Sequence, residues 1–263
     1  MNKFPRDKDE VLRYLGYRNQ NLDETTDSLI DECMEEMKDL IKEKHIYRFF
    51  DIHRKNEEMY LNETNLMLTG NDIKNHLRGS ENCVLMAVTL GNDVDAKIRY
   101  YERKSITRAL ILDACATAAV EEICDRICDE LGKTVNKENK TLTSRYSPGY
   151  GDLPIHIQND FLSVLGAQKA IGLTANSHSI LIPRKSVTAI VGVVEEHRGD
   201  LRSPANHEGD ESYLKNRRGD LRPPNGDTKN LLSSEDNTCL SCKNYSTCMY
   251  RREGGRCGGY RKA

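Results

Sequence analysis

Cys83-Val84-Leu85-Met86-Ala87-Val88-Thr89-Leu90 is a continuous apolar run, too short for a typical buried helix and suited to a central β-strand. Gly91-Asn92-Asp93 ends it and caps a helix. From Val94 to Leu131 the pattern is helical, with a break near Ser105. Ala109, Ala114, Ala116, Ala118 and Ala119 let neighbours approach closely, and Leu112, Ala116, Ile123, Ile127 and Leu131 form its buried stripe. A strand that cannot be exposed, followed by a long small-residue helix, restricts the chain to folds that stack helices on a sheet.

The flanking segments agree. Residues 7 to 44 have helical patterning, strongest from Asp23 to Lys44, where Leu29, Ile30, Cys33, Met37, Leu40 and Ile41 recur at three- and four-residue steps. Ile46 to Ile52 reads as a strand, Met59-Tyr60-Leu61 with Leu66-Met67-Leu68 as a short hairpin, and Asn71 to Leu77 as a short helix stopped by Gly79. Lys133 to Lys140 reads as a polar connector, and Ile157 to Ala170 as a helix stopped at Gly172. Ser179 to Ile182 and Ser186 to Val194 are β-rich and form antiparallel partners if Pro183-Arg184-Lys185 is a turn. The expected fold class is α+β, an antiparallel sheet with packed helices.

The whole length is too polar for one core: 37% of residues are hydrophobic, 30% are charged, and the mean hydropathy is −0.69. The excess polarity concentrates from Gly199 to Asn237, where Asp, Asn, Arg, Gly, Pro and Ser dominate and Arg-Gly-Asp-Leu-Arg occurs at 198 and again at 218. That segment reads as a disordered linker, and without an export signal an adhesion role for Arg-Gly-Asp carries little weight. The organisation expected is a domain over 1–198, a linker over 199–237 and a cysteine-rich module over 238–263. With 39 basic and 41 acidic residues there is no global attraction to nucleic acid. No apolar run is long enough to cross a bilayer, and the first residues lack a signal-peptide core, so a cytoplasmic location is expected.

Nine cysteines in a reducing compartment are thiols or ligands rather than disulfides. Cys33, Cys83, Cys115, Cys124 and Cys128 lie in apolar-patterned segments and read as core residues. Cys124 and Cys128 are four apart on a helix, but no His or Asp motif accompanies them, which favours packing over metal. Cys239, Cys242, Cys248 and Cys257 instead cluster in a polar tail beside Lys243, Arg251, Arg252 and Arg256. Four thiolates suit tetrahedral zinc or an iron–sulfur cluster, and the nearby cations favour the thiolate state. Only Cys239 and Cys242 form a C-x-x-C knuckle, which leans toward iron–sulfur; a metal would also supply folding energy to a segment with no core.

The stretch from Arg145 to His156, Arg-Tyr-Ser-Pro-Gly-Tyr-Gly-Asp-Leu-Pro-Ile-His, puts a cation, two tyrosines and a histidine on one stiffened loop. Pro148 fixes its own φ and pushes Ser147 toward extended geometry, while Gly149 and Gly151 permit backbone shapes or close approaches that a Cβ blocks. Arg145 can pair a carboxylate through its planar fork, and Tyr146 or Tyr150 can stack on a flat ring. Those requirements suit a zwitterionic nucleoside such as S-adenosylmethionine. The competing reading is a passive loop in which Tyr150 fills core and His156 caps or starts the next helix.

The loop resembles the R-x-x-P-G-Y-x-x-x-P-x-H motif of the activation domain of cobalamin-dependent methionine synthase, through Arg145, Pro148, Gly149, Tyr150, Pro154 and His156. Gly172-Leu173-Thr174, Ser177, Pro183, Ser186 and Val187 continue the likeness at compatible spacing. Leu66 to Ile73 and Thr89 to Asp95 resemble stand-alone activation subunits, so that the likeness spans residues 10 to 194. The resemblance implies a reactivation subunit: S-adenosylmethionine is presented above the corrin of a cobalamin-binding methionine synthase subunit, and an electron-donor protein reduces cob(II)alamin. It implies Arg145 as the ligand for the methionyl carboxylate, Ser147 for backbone contacts and Tyr150 in the nucleoside pocket. Pro148 and Gly149 would set the loop, and His156 would cap a helix or support from behind. No residue is implied as an acid–base catalyst. The family's fused form has a return strand after the last strand, whereas here Val191 to Val194 runs into the polar segment, and the family's tryptophans are missing. The alternatives are a corrinoid-protein interaction or assembly factor that binds no S-adenosylmethionine, and an iron–sulfur electron carrier.

Overall fold

The structure, a computed structural model, describes residues 7–18, 20–55 and 58–195 of the 263. The expected linker and the four tail cysteines lie outside the described residues. Within them, the apolar run becomes β3 (Ser80–Thr89), the middle strand of a five-stranded sheet. β1 (Lys44–Lys55) and β7 (Ser186–Glu195) pair antiparallel on its two sides, with Phe49 opposite Val84 and Val84 opposite Val191. β2 (Glu58–Leu61) and β4 (Lys140–Leu142) complete the order β2-β1-β3-β7-β4. The fold is therefore α+β with an antiparallel sheet and packed helices.

Strand alternation assigns each face of β3 its own core. Val84, Met86 and Val88 face α1 (Lys8–Tyr14), α2 (Glu24–Leu40), α4 (Asn92–Glu102) and α5 (Ile106–Val135). Cys83, Leu85 and Ala87 face the other way, toward α3 (Asn71–His76), α6 (Gln158–Leu165) and α7 (Ala167–Ile171). Both sides are covered, which is why the run has no polar alternation. Along α5 the stripe Leu112, Ala116, Ile123, Ile127 and Leu131 is buried, and Ser105 caps the helix where the break was expected. Truncating a fully buried side chain such as Leu112 or Phe161 costs about 2–5 kcal/mol. No helix among the described residues is long and apolar enough to cross a membrane.

Cys33, Cys83, Cys115 and Cys124 are buried and Cys128 is half-buried. Burial pushes the Cys83 and Cys115 thiols up to about 12, so both stay protonated as packing groups. Cys128 Sγ lies 3.8 Å from Met86 Sδ, and no cluster of metal-ligating side chains occurs among the described residues.

Three expectations are corrected. Ser179–Ile182 does not pair with β7: β6 (Leu181–Ile182) pairs instead with β5 (Thr174–Ala175). One edge of β7 carries β3, and the other carries β4 and Tyr146, which exchanges backbone hydrogen bonds with Ile190 at 2.9 and 2.8 Å. Both of those pairings lie at Ile190 or beyond, and along Ser186–Thr188 that side of β7 borders a cleft rather than a strand. The connector expected at Lys133–Lys140 begins later, because α5 continues to Val135 before a 3₁₀ turn at Asn136–Glu138 and then β4. The helix expected over Ile157–Ala170 is two helices, broken where Gly166 takes φ +66°.

Candidate functional site

The loop that begins at Arg145 leaves the sheet at the edge of β7, so its first residues are fixed by strand pairing. It then folds on itself: the Tyr150 amide donates to Ser147 O at 3.1 Å, the Leu153 amide to Tyr150 O at 3.0 Å and the Gly149 amide to Leu153 O at 2.9 Å. Gly149 takes φ +93°, and a Cβ there would stand 3.1 Å from Ile155 Cδ1. Leu153 anchors the turn in the core with 1% of its surface exposed.

One wall of a cleft of about 200 Å³ is formed by Arg145, Ser147, Pro148 and Tyr150. Ser186 and Val187, at the start of β7, line it as well, together with Glu121 from α5 and Gln158 from α6. The buried Gln158 amide donates to Thr188 Oγ1 at 2.6 Å, so this polar part of the lining is internally satisfied. Tyr150 stands at the cleft 39% exposed.

Arg145 is almost enclosed, with 7% of its side chain exposed. Its Nη1 donates to Asp125 Oδ1 at 2.6 Å and its Nη2 to Glu121 Oε2 at 2.7 Å, both carboxylates rising from α5 one turn apart. Burial pushes the Glu121 carboxyl up against the opposite pull of the Arg145 charge. The site therefore holds one guanidinium paired with two carboxylates in a partly desolvated groove.

Of the six residues expected to bind, Arg145, Ser147, Pro148 and Tyr150 line the cleft and Gly149 shapes its turn. His156 does not join them: it is exposed in the 3₁₀ turn Ile155–Ile157, and no side chain caps either that turn or α6. Tyr146 is a strut rather than a stacking surface. Its ring lies 5.0 Å from that of His76, and its hydroxyl donates to Tyr150 O at 3.1 Å. Sequence reasoning missed Glu121, Asp125 and Gln158. Glu121 and Asp125 stand among five acidic residues between 121 and 130, so no local signal marked them out.

No family model matches this chain, and no curated protein matches it. Among solved structures it is similar to the crystal structure of the MetH reactivation domain bound to AdoHcy, with a TM-score of 0.52 and 13% sequence identity. The match covers 73% of this chain and 70% of that one. At this identity the similarity is one of fold.

Proposed function

We propose that this chain is a reactivation subunit of a methionine synthase system, binding S-adenosylmethionine in the Arg145–Tyr150 cleft and presenting it to cobalamin on a partner protein. The observation that carries this reading is that the R-x-x-P-G-Y loop lines a cleft in a fold shared with a reactivation domain bound to AdoHcy. In such a reaction one electron from a donor protein reduces cob(II)alamin. The cobalt lone pair then takes the methyl group from sulfur, and the S–CH3 bond electrons stay behind in S-adenosylhomocysteine. The subunit's part is positioning.

The lining fits that part. Arg145 supplies a cation for a methionyl carboxylate and Glu121 an anion for the ammonium beside it; Tyr150 offers a flat face for adenine. A cleft of about 200 Å³ is smaller than the ~300–1,000 Å³ pockets that bury drug-sized ligands. A bound nucleoside would stay partly open, as a methyl group offered to a second protein requires. His156 takes no ligand role in this reading. For the tail thiols Cys239, Cys242, Cys248 and Cys257 the proposal is ligation of an iron–sulfur cluster or zinc. An anaerobic visible spectrum separates the two, and unchanged metal content in Cys239→Ser with Cys242→Ser removes the assignment.

Titration calorimetry with S-adenosylmethionine tests the ligand. Wild type binds, and Tyr150→Ala weakens binding about tenfold, equivalent to about 1.4 kcal/mol. Absence of binding by the wild type, even with the cobalamin-carrying partner present, overturns the reading. One observation favours a second reading, a corrinoid-protein interaction factor without this ligand: the Arg145 fork is already engaged by two carboxylates. That reading predicts reductive methylation of the partner's cob(II)alamin unchanged by added subunit, whereas the first predicts acceleration.

A further inference from the structure

The wall that carries Ser147, Pro148 and Tyr150 is attached from behind to α3, a six-residue helix some seventy positions earlier. Asp152 Oδ2 accepts from the Asn71 amide at 2.5 Å and its Oδ1 from the Asp72 amide at 3.0 Å. The approach leaves no room for a side chain on either partner. Gly70 takes φ +129°, and a Cβ there would collide with the Asp152 carboxylate; Gly151 takes φ +50°, and a Cβ there would collide with the Tyr146 hydroxyl and the Asp72 carboxylate. At the other end of α3, His76 Nε2 lies 2.9 Å from Ser144 O and 3.1 Å from Thr143 Oγ1. In between, the His76 ring meets that of Tyr146, whose hydroxyl holds the Tyr150 carbonyl. Ile73 and Leu77 root α3 in the core beneath.

We propose that Asp152 is a positioning residue and α3 a clamp, which together fix the backbone from Ser147 to Tyr150 and aim the Tyr150 ring at the cleft. The functional half of this proposal rests on the binding reading above. α3 grips the loop at residues 143–144, at Tyr146 and at 151–152, leaving the opposite side of the loop free to line the cleft. Loss of one grip therefore loosens the ligand-facing backbone, although neither Asp152 nor α3 lines the cleft.

The test uses the full chain and two readouts. Hydrogen exchange without ligand compares wild type, Asp152→Ala, Asp152→Asn and Gly151→Ala. In Asp152→Ala, the amides of 71–72 and those of 149–151 speed up together by tenfold or more, while β3 is unchanged. Asp152→Asn, which keeps a side-chain oxygen acceptor, lies between, and Gly151→Ala reproduces the loosening by forcing the partners apart. Calorimetry with S-adenosylmethionine then shows about tenfold weaker binding in Asp152→Ala, with partial recovery in Asp152→Asn. Acceleration confined to 71–72, or faster exchange at 149–151 without loss of affinity in a protein whose wild type binds, overturns the proposal. If wild type does not bind S-adenosylmethionine, the binding reading falls, and the clamp stands or falls on whether the two segments exchange together. If Asp152→Ala fails to fold, Gly151→Ala and Asp152→Asn decide by the same criteria.

Discussion

Two aspartates fasten the segments that line the cleft, and they do so with the same chemistry in different surroundings. Asp152 takes the amides of Asn71 and Asp72; Asp95 takes those of Arg184 at 2.6 Å and Lys185 at 3.4 Å, in the turn just before Ser186 and Val187. Each carboxylate bridges two consecutive amides across eighty residues or more. Asp95, however, is 7% exposed, whereas Asp152 is at the surface. A charge-assisted bond in a desolvated place contributes about 1.5–3 kcal/mol, and water competes for the same bond when it is exposed. The β7 turn is thus built into the scaffold, while the loop from Ser147 to Asp152 is held by a bond that solvent can replace. Lys185 adds to the difference, donating to Asp113 Oδ1 and Thr117 Oγ1, both at 2.9 Å.

This contrast can be broken at either end. The largest effect is expected for Asp95→Ala, which leaves two amides beside a buried gap: urea denaturation should show about 3 kcal/mol of lost stability with little change in slope. Asp152→Ala should cost only about 1 kcal/mol in the same assay, near the loss for removing an exposed helix cap. Equal costs for the two would mean that burial does not separate them. The smallest expected effect is a change in pH dependence. Burial holds His76 below its ordinary value of 6.5, so the unfolded chain takes up a proton before the native state does. The stability contribution is complete above pH 6.5 and is lost as pH falls from there through the lowered native value, because protonation favours unfolding. His76→Gln should flatten the curve there, and an unchanged slope would remove His76 from the account of this wall. Glu121 works in the opposite sense: burial raises its native value above 4.5, so ionisation costs stability as pH climbs from 4.5 through the raised value.

How much of this could be read from the sequence varied with the range of the contacts involved. β3 and the α5 stripe were legible because burial alone sets their pattern. Ser179–Ile182 was misassigned because Pro183-Arg184-Lys185 has the composition of a hairpin turn, whereas the turn's partner is Asp95, 89 residues from Arg184, and Leu181–Ile182 pairs back with Thr174–Ala175. The helix break at Gly166 was missed because apolar spacing persists across it; the break lies in the backbone and not in the side-chain pattern. At the site, the loop composition pointed to a ligand grip. It gave no sign that Arg145 would meet Glu121 and Asp125, 24 and 20 residues upstream, or that Asp152 would reach back to α3. Contacts of that separation leave no local periodicity to read.

The Tyr150 backbone is tied at both its amide and its carbonyl, yet its ring remains more than one-third exposed at the cleft. The freedom of Tyr150 itself therefore resides in its two side-chain torsions. Ordering one such side chain on a ligand costs about 0.5–1.5 kcal/mol, far less than ordering a segment of main chain. The loop has already given up its conformational freedom during folding, and the aromatic ring keeps just enough to settle against flat ligands of slightly different tilt.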